Sequence, residues 1–201
     1  MVFKKDDKLR LQDALKTLPI TIVGAGPVGL LLANLLGSEG RRVTVIEKHA
    51  KKPSGSMAIG ITPPSLDILD QVNLRSSFLD KGVRIQRAYV FENRKKVGQL
   101  TFPGPENAIL SFPQSETLTL LEKNLQNFPS VSVKRGKIFT EDDLRDAKGW
   151  VIGCDGSSGT VRKMAKIKGH GHGYGVGFVM ADFPDVEELG PDARLYFTKN
   201  G

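Results

Sequence analysis

The sequence predicts an α/β fold: a parallel sheet built on a strand, helix and strand unit, with a second, partial antiparallel sheet. Three observations carry the prediction. A glycine-rich turn, Gly24-Ala-Gly26-Pro-Val-Gly29, stands between a β-branched run and an apolar helical segment. A second β-branched run follows and ends on Glu47. Further along, short alternating runs are separated by polar turns, the pattern of hairpin strands. With 201 residues, 39% hydrophobic and 25% charged, the chain has the composition of a packed globular protein and room for one ample core or two small ones.

Residues 1–18 read as a charged N-terminal extension (Lys4, Lys5, Asp6, Asp7, Lys8, Arg10), without the continuous apolar core of a signal peptide. Pro19 to Val23 is a buried strand. A helix runs from about Pro27, a residue suited to a first turn, to Ser38, with Gly40 as its stop. Val43 to Glu47 is the second strand, which completes a βαβ unit. Lys51 to Gly60 is a loop rich in Lys, Pro, Ser and Gly. Pro63 and Pro64 open a helix with Leu66, Ile68, Leu69 and Val72 on one apolar face. Val83 to Phe91 is a strand that pairs with Val97 to Phe102 across a polar turn at Glu92 to Lys96. A helix follows from Ser115, its N-cap, to Phe128, with Glu116 favourably placed in the first turn. Val131 to Val133 and Trp150 to Ile152 are further strands, with Trp150 in the core. The linker-like Gly169 to Gly177 leads to two strands, Phe178 to Phe183 and Arg194 to Phe197.

The glycine turn follows a strand and opens a helix, the context in which GxGxxG binds a dinucleotide in a Rossmann-type unit. Gly24 makes the tight turn, Gly26 lets the backbone approach a pyrophosphate, and Gly29 with Ala33 lets the helix pack closely on the sheet. The phosphates are then expected on the helix N-terminus. Glu47 lies about 20 residues beyond the glycines, placed for the adenosine ribose hydroxyls and repelling a 2′-phosphate, so the bound nucleotide is FAD or NAD rather than NADP. The contact set read here is Gly24, Gly26, Pro27, Val28, Gly29, Glu47 and Lys48.

Composition narrows the alternatives. The net charge of +7 comes from scattered pairs such as Lys4-Lys5 and Arg41-Arg42, not from a basic helix interleaved with aromatics, so no nucleic-acid partner is expected. Cys154 is the single cysteine, which excludes an internal disulfide and cysteine metal clusters and suits a reducing, cytoplasmic setting. No apolar stretch approaches the ~20 residues of a membrane span. His170 and His172 lack accompanying carboxylates, so no metal is assigned, and Cys154 has no neighbour to activate it as a nucleophile.

The apolar run Trp150 to Gly153 ends in Cys154-Asp155-Gly156 and is followed by a helix start containing Arg162. A strand-end Asp beside glycine can hold a hydroxyl, order a loop near a second diphosphate, or form an ordinary turn. Taken in order, GAGPVGLLLANLL, VTVIEKH, AIGITPPSLDIL, KGV, FPQSETLTLLEKNL, VIGCDGSSGTVRK and VMADF resemble the class A FAD-dependent aromatic monooxygenases, the para-hydroxybenzoate hydroxylase-like group, over most of Ile20 to Tyr196.

The resemblance implies an FAD-binding domain over residues 19–80 and 113–166 and a partial substrate-domain sheet over 82–112 and 174–201. It places Asp155 and Gly156 near the FAD pyrophosphate and Gln114 near the ribityl chain or phosphates. It implies reduction by NADPH or NADH and oxygen transfer from a flavin hydroperoxide to a phenolic substrate, in a cytoplasmic protein compatible with a homodimer. No catalytic acid or base is assigned, because the chemistry belongs to the cofactor. The chain departs from the family at Met57, often Arg, and at Gly159, often Ser; residues 136–149 are a short polar stretch in place of a small β-meander. No Gly-Asp pair occurs anywhere in the sequence. The alternatives are a catalytically incomplete FAD-binding module or an NAD-binding domain.

Overall fold

The computed structural model describes residues 17–52, 60–104, 107–171, 173, 175 and 190–198. The elements run β1 (Ile20–Val23), α1 (Pro27–Ser38), β2 (Val43–Glu47), β3 (Gly60–Ile61), α2 (Pro63–Asp70), α3 (Arg75–Lys81), β4 (Val83–Ile85), β5 (Arg87–Glu92) and β6 (Lys95–Thr101). They continue with β7 (Ile109–Ser111), α4 (Gln114–Asn124), a 3-10 turn (Leu125–Asn127), β8 (Val131–Arg135), α5 (Glu141–Arg145), β9 (Trp150–Gly153), α6 (Thr160–Met164) and β10 (Ala193–Phe197). Two compact units form, Met1–Pro53 with Leu118–Gly177 and Ser54–Thr117 with Phe178–Gly201, the division falling within α4.

In the first unit the sheet has the order β8-β2-β1-β9 with every pairing parallel. Ile22 and Val45 sit side by side at its centre, both fully buried. Helix α1 packs through Leu30 and Ala33, which are equally buried. Gly37 lets this helix meet Val131 and Phe128, since a Cβ there would come within 2.7 Å of the valine methyl. The buried Asn34 ties α1 to α4: its amide donates to the Leu30 and Leu121 carbonyls at 2.8 and 2.9 Å, and its oxygen accepts from Asn124 at 2.9 Å. A buried amide so paired carries no desolvation penalty and fixes one register between the helices.

The second unit holds two sheets. In one, β3 and β4 flank β7, all antiparallel. Its core is Phe78 of α3 against Phe112, ring centroids 4.9 Å apart, with Leu66, Leu69 and Leu110. In the other, β5 pairs antiparallel with β6 and parallel with β10. Asn93 and Arg94 turn the β5–β6 hairpin, both with left-handed φ (46° and 69°), the geometry that matches the strand twist.

The α/β class, the parallel sheet and the antiparallel hairpin are as the sequence predicts, and α1 has the predicted bounds. Several elements differ. Val83 to Phe91 is two strands in two sheets, broken at Gln86; alternation continues across the break because each half carries its own. Ile68 is exposed while Leu66 and Leu69 are buried, and Val72 lies beyond the end of α2. Helix α4 starts at Gln114, so Ser115 lies inside it and is not its N-cap. Trp150 is half exposed because it opens β9, an edge strand. The polar stretch after Gly136 forms α5, where Thr140 and Asp143 reciprocally cap the helix. Met57, His172 and the strand expected at Phe178 to Phe183 lie outside the described residues.

Candidate functional site

The strand ends of β1, β2 and β9 meet at the glycine turn. The Gly24 N–H donates to the Ile46 carbonyl at 2.8 Å and the Cys154 N–H to the Val23 carbonyl at 2.7 Å. Gly24 has φ 108°, and a Cβ on it would overlap the Cys154 carbonyl oxygen. A Cβ on Gly29 would overlap the Gly24 carbonyl oxygen and come within 3.3 Å of the Cys154 side chain. These two positions accept nothing but glycine because other backbone is already there. Gly26 is the opposite case: a Cβ on it would point into open space. The middle glycine keeps a volume clear in front of the helix.

That volume faces the start of α1. Gly26 is the N-cap residue and supplies no side-chain acceptor, Pro27 stands in the first turn, and no acidic side chain lies there. The N–H groups that a helix leaves unpaired at its start are therefore available to an anion, with the positive end of the dipole behind them. Val28, the next residue, is largely exposed. Open space at Gly26 and an uncapped helix start free of acidic side chains suit an anionic group.

Glu47 closes the other side. One carboxylate oxygen accepts from the Ala25 N–H at 2.9 Å and the other from the His49 N–H at 2.8 Å, so the side chain braces the glycine turn. A carboxylate has about four acceptor positions, which leaves capacity for ribose hydroxyls. Lys48 is exposed. Beside Glu47 in the sheet register is Arg135, bound through two nitrogens to Glu122 at 3.2 and 3.1 Å, with Lys52 on the same carboxylate at 2.9 Å. Burial works to raise the Glu122 pKa, but the bonds from Arg135 and Lys52 outweigh it and hold the group ionised below its ordinary range. Sequence reasoning missed this cluster; no spacing links its three residues, Glu122 on α4, Arg135 on β8 and Lys52 in the segment after β2.

At the end of β9, Asp155 Oδ2 accepts from the Thr160 N–H at 2.6 Å, the Thr160 hydroxyl at 2.9 Å and the Val161 N–H at 3.1 Å. Burial pushes its pKa up; these hydrogen bonds prevail and lower it. Of the roles open to a strand-end Asp, ordering the following loop is the one these bonds perform. Gly156 makes the turn with φ 90°. The half-buried Cys154 thiol is pushed up by burial and then by the Asp155 charge, the reverse of nucleophile activation. Gln114 opens α4 and belongs to the second unit. Among the described residues no group of three His, Cys, Asp or Glu side chains comes together to hold a metal, and no helix is long and apolar enough to cross a membrane.

A parallel sheet with a glycine turn, an open helix start and a braced carboxylate at the strand ends defines a dinucleotide-binding α/β domain. The chain belongs to the FAD binding domain family, which it matches over residues 17–198. It is 27% identical over 176 residues to a probable NADH-specific resorcinol 4-hydroxylase of Rhodococcus jostii, covering 75% of this chain and 33% of that protein. It is 30% identical over 158 residues to the rifampicin monooxygenase of Streptomyces venezuelae, covering 72% and 33%. The chain thus spans about a third of the length of these curated relatives. Among solved structures, it shares its fold with the p-nitrophenol 4-monooxygenase of Pseudomonas putida (TM-score 0.63, 24% identity, 74% of this chain and 43% of that one). It also shares it with the flavin-dependent monooxygenase PieE, solved with FAD and substrate (TM-score 0.62, 17% identity, 74% and 32%).

Proposed function

We propose that this chain is the FAD-binding part of an NAD(P)H-dependent hydroxylase acting on a phenolic or related aromatic substrate. The observation that carries the reading is the contrast among the three glycines: Gly24 and Gly29 are held by contact, while a Cβ on Gly26 would meet open space at an uncapped helix start. The family match over nearly the whole chain makes FAD the nucleotide.

In this reading Gly24, Gly26, Pro27, Val28 and Gly29 cradle the pyrophosphate, and the N–H groups at the start of α1 neutralise its charge. Glu47 accepts from the ribose hydroxyls while it keeps the turn braced, with Lys48 beside it. Asp155 and Gly156 order the loop behind the phosphates, and Gln114 contacts the ribityl chain or phosphates as the family resemblance suggests. FAD, when bound, supplies the redox chemistry; these residues bind it, orient it and exclude water from its phosphates. The domain limits follow the same resemblance, 19–80 with 113–166 for the cofactor and 82–112 with 174–201 for the substrate sheet. The electron donor is NADPH or NADH, and the names of the relatives support an aromatic small molecule as substrate. A cytoplasmic location and a homodimer suit this reading, with neither nucleic acid nor a membrane as partner.

The test is retention of flavin. After incubation with excess FAD, flavin absorbance should travel with the protein on a sizing column; FAD lost while NAD is retained would overturn the reading.

A further inference from the structure

Successive side chains of a strand point to opposite faces, so the β10-β5-β6 sheet presents two surfaces of different chemistry. On one, the register brings Ala88 beside Leu100 and Val90 beside Leu195, all without charge. On the other, Tyr89 and Phe91 of β5 stand beside Arg194 and Tyr196 of β10, with Lys96 of β6 next to Phe91. The side chains of this second face are already arranged. Phe91 and Tyr196 stack with ring centroids 4.8 Å apart and planes 15° from parallel. Lys96 Nζ lies 4.0 Å from the centre of the Tyr89 ring and donates to Gln99 Oε1 at 3.0 Å.

These contacts hold an ammonium group beside an aromatic pair before any ligand arrives, which lowers the ordering cost of binding. Gln99 uses one of the three donors of Lys96. Tyr196, although stacked, is 55% exposed, so much of its ring is open to another ring. Arg87 differs from Lys96: two of its nitrogens are bound to Asp192 at 3.1 and 3.0 Å, so its charge is answered within the chain. A surface built only to be packed over would resemble the apolar face of the same sheet. This one pairs a flat aromatic lane with positive charge.

We propose that this face binds a planar aromatic carboxylate: the ring lies against the pair formed by Phe91 and Tyr196, and the carboxylate meets Lys96, with Arg194 as a second cation beside Tyr89. The proposal rests on the aromatic-substrate reading above and deepens it by giving that substrate a negative charge.

The test is titration of the whole chain, without FAD, followed by amide chemical shifts. Sodium benzoate should move the amides of residues 87–101 and 193–197 and saturate with a Kd of about 1 mM or tighter. Benzamide, which keeps the ring without the charge, and cyclohexanecarboxylate, which keeps the charge without a flat ring, should each bind at least about fivefold more weakly. Lys96→Gln should abolish the preference for benzoate over benzamide, and Lys96→Arg should keep it. Tyr196→Leu should weaken both aromatics alike and leave their ratio unchanged. Equal binding of benzoate and benzamide, a preference that survives in Lys96→Gln, shifts confined to the first unit, or no saturable shift would each overturn the proposal. So would movement of the same amides when the ligand-free chain is concentrated into a dimer, which would make the face an interface between copies. Flavin retention is measured separately. Benzoate held here by a chain that retains no FAD leaves this site standing while the FAD reading falls, and retained FAD without a benzoate preference does the reverse.

Discussion

The parallel sheet of the first unit and the β10-β5-β6 sheet of the second are built on opposite principles. Around β1 and β2, side chains are packed to contact, glycines stand where backbone touches backbone, and the buried polar side chain of Asn34 has both its amide hydrogens and its oxygen paired. In the β10-β5-β6 sheet only Ala88 is buried, while Leu100, Leu195 and Phe197 are each about half exposed or more. The polar links there are surface ones, such as Arg87 with Asp192 at 3.0 Å. Order at the strand ends of the first unit is imposed by sterics; the second sheet is held mainly by its ladder. Substitution should be punished in one and tolerated in the other.

The sharpest test compares two glycines. Gly29→Ala should cost about 3 kcal/mol or more, because the new Cβ meets the fixed Gly24 carbonyl. Gly98→Ala in β6, whose Cβ would sit 3.7 Å from Val90, should be neutral or stabilising by about 0.5 kcal/mol. Urea midpoints decide, and equal losses would break the comparison. Next in size, Asn34→Leu removes the donor to the Leu121 carbonyl and the acceptor of the Asn124 amide and should cost about 2 to 3 kcal/mol. Arg87→Ala, which removes an exposed ion pair, should cost under about 1 kcal/mol by the same measurement.

Within the first unit, Gly26→Val separates space kept for a ligand from space filled by the fold. Its stability should change little, yet FAD affinity should fall at least about tenfold as the side chain enters the phosphate volume. Gly40→Val should do the reverse: φ 73° at the helix stop costs about 1 to 2 kcal/mol and leaves affinity unchanged at matched folded fraction. The smallest effect is electrostatic. Asp143 is held at about 2, below the ordinary 3.8, first by Lys137 and then by the Thr140 cap. A depressed folded-state pKa means that its contribution is present above pH 4 and lost as pH falls through about 2. Thr140→Ala should flatten the acid side of the stability profile, seen as thermal midpoints at pH 2 to 5.

What was legible in the sequence follows the same division. Helix α1 could be bounded to the residue because Pro27 and Gly40 punctuate it and the glycine turn has one structural meaning. Glu47 was found by its distance from the glycines, but its bonds to Ala25 and His49 were not, since nothing in a sequence shows which backbone N–H a carboxylate braces. The Glu122 cluster was invisible for lack of local spacing. In the second unit, Val83 to Phe91 showed alternation without its break at Gln86, and α3, with Phe78 as its one buried side chain, carries too little periodicity to be seen. Trp150 was misplaced because strand character says nothing about which strand lies at an edge.

The parallel pairing of β10 with β5 also sets a timetable. Arg87 and Asp192 are separated by 105 residues, so the β5–β6 hairpin leaves the ribosome long before the strand that covers its second edge exists. At bacterial or eukaryotic elongation rates that interval is roughly 5 to 20 s, far longer than a hairpin needs to form. For that time the nascent chain presents the β5 edge that β10 later covers, along Ala88 to Glu92, an unpaired row of N–H and C=O groups of the kind that templates pairing with another strand.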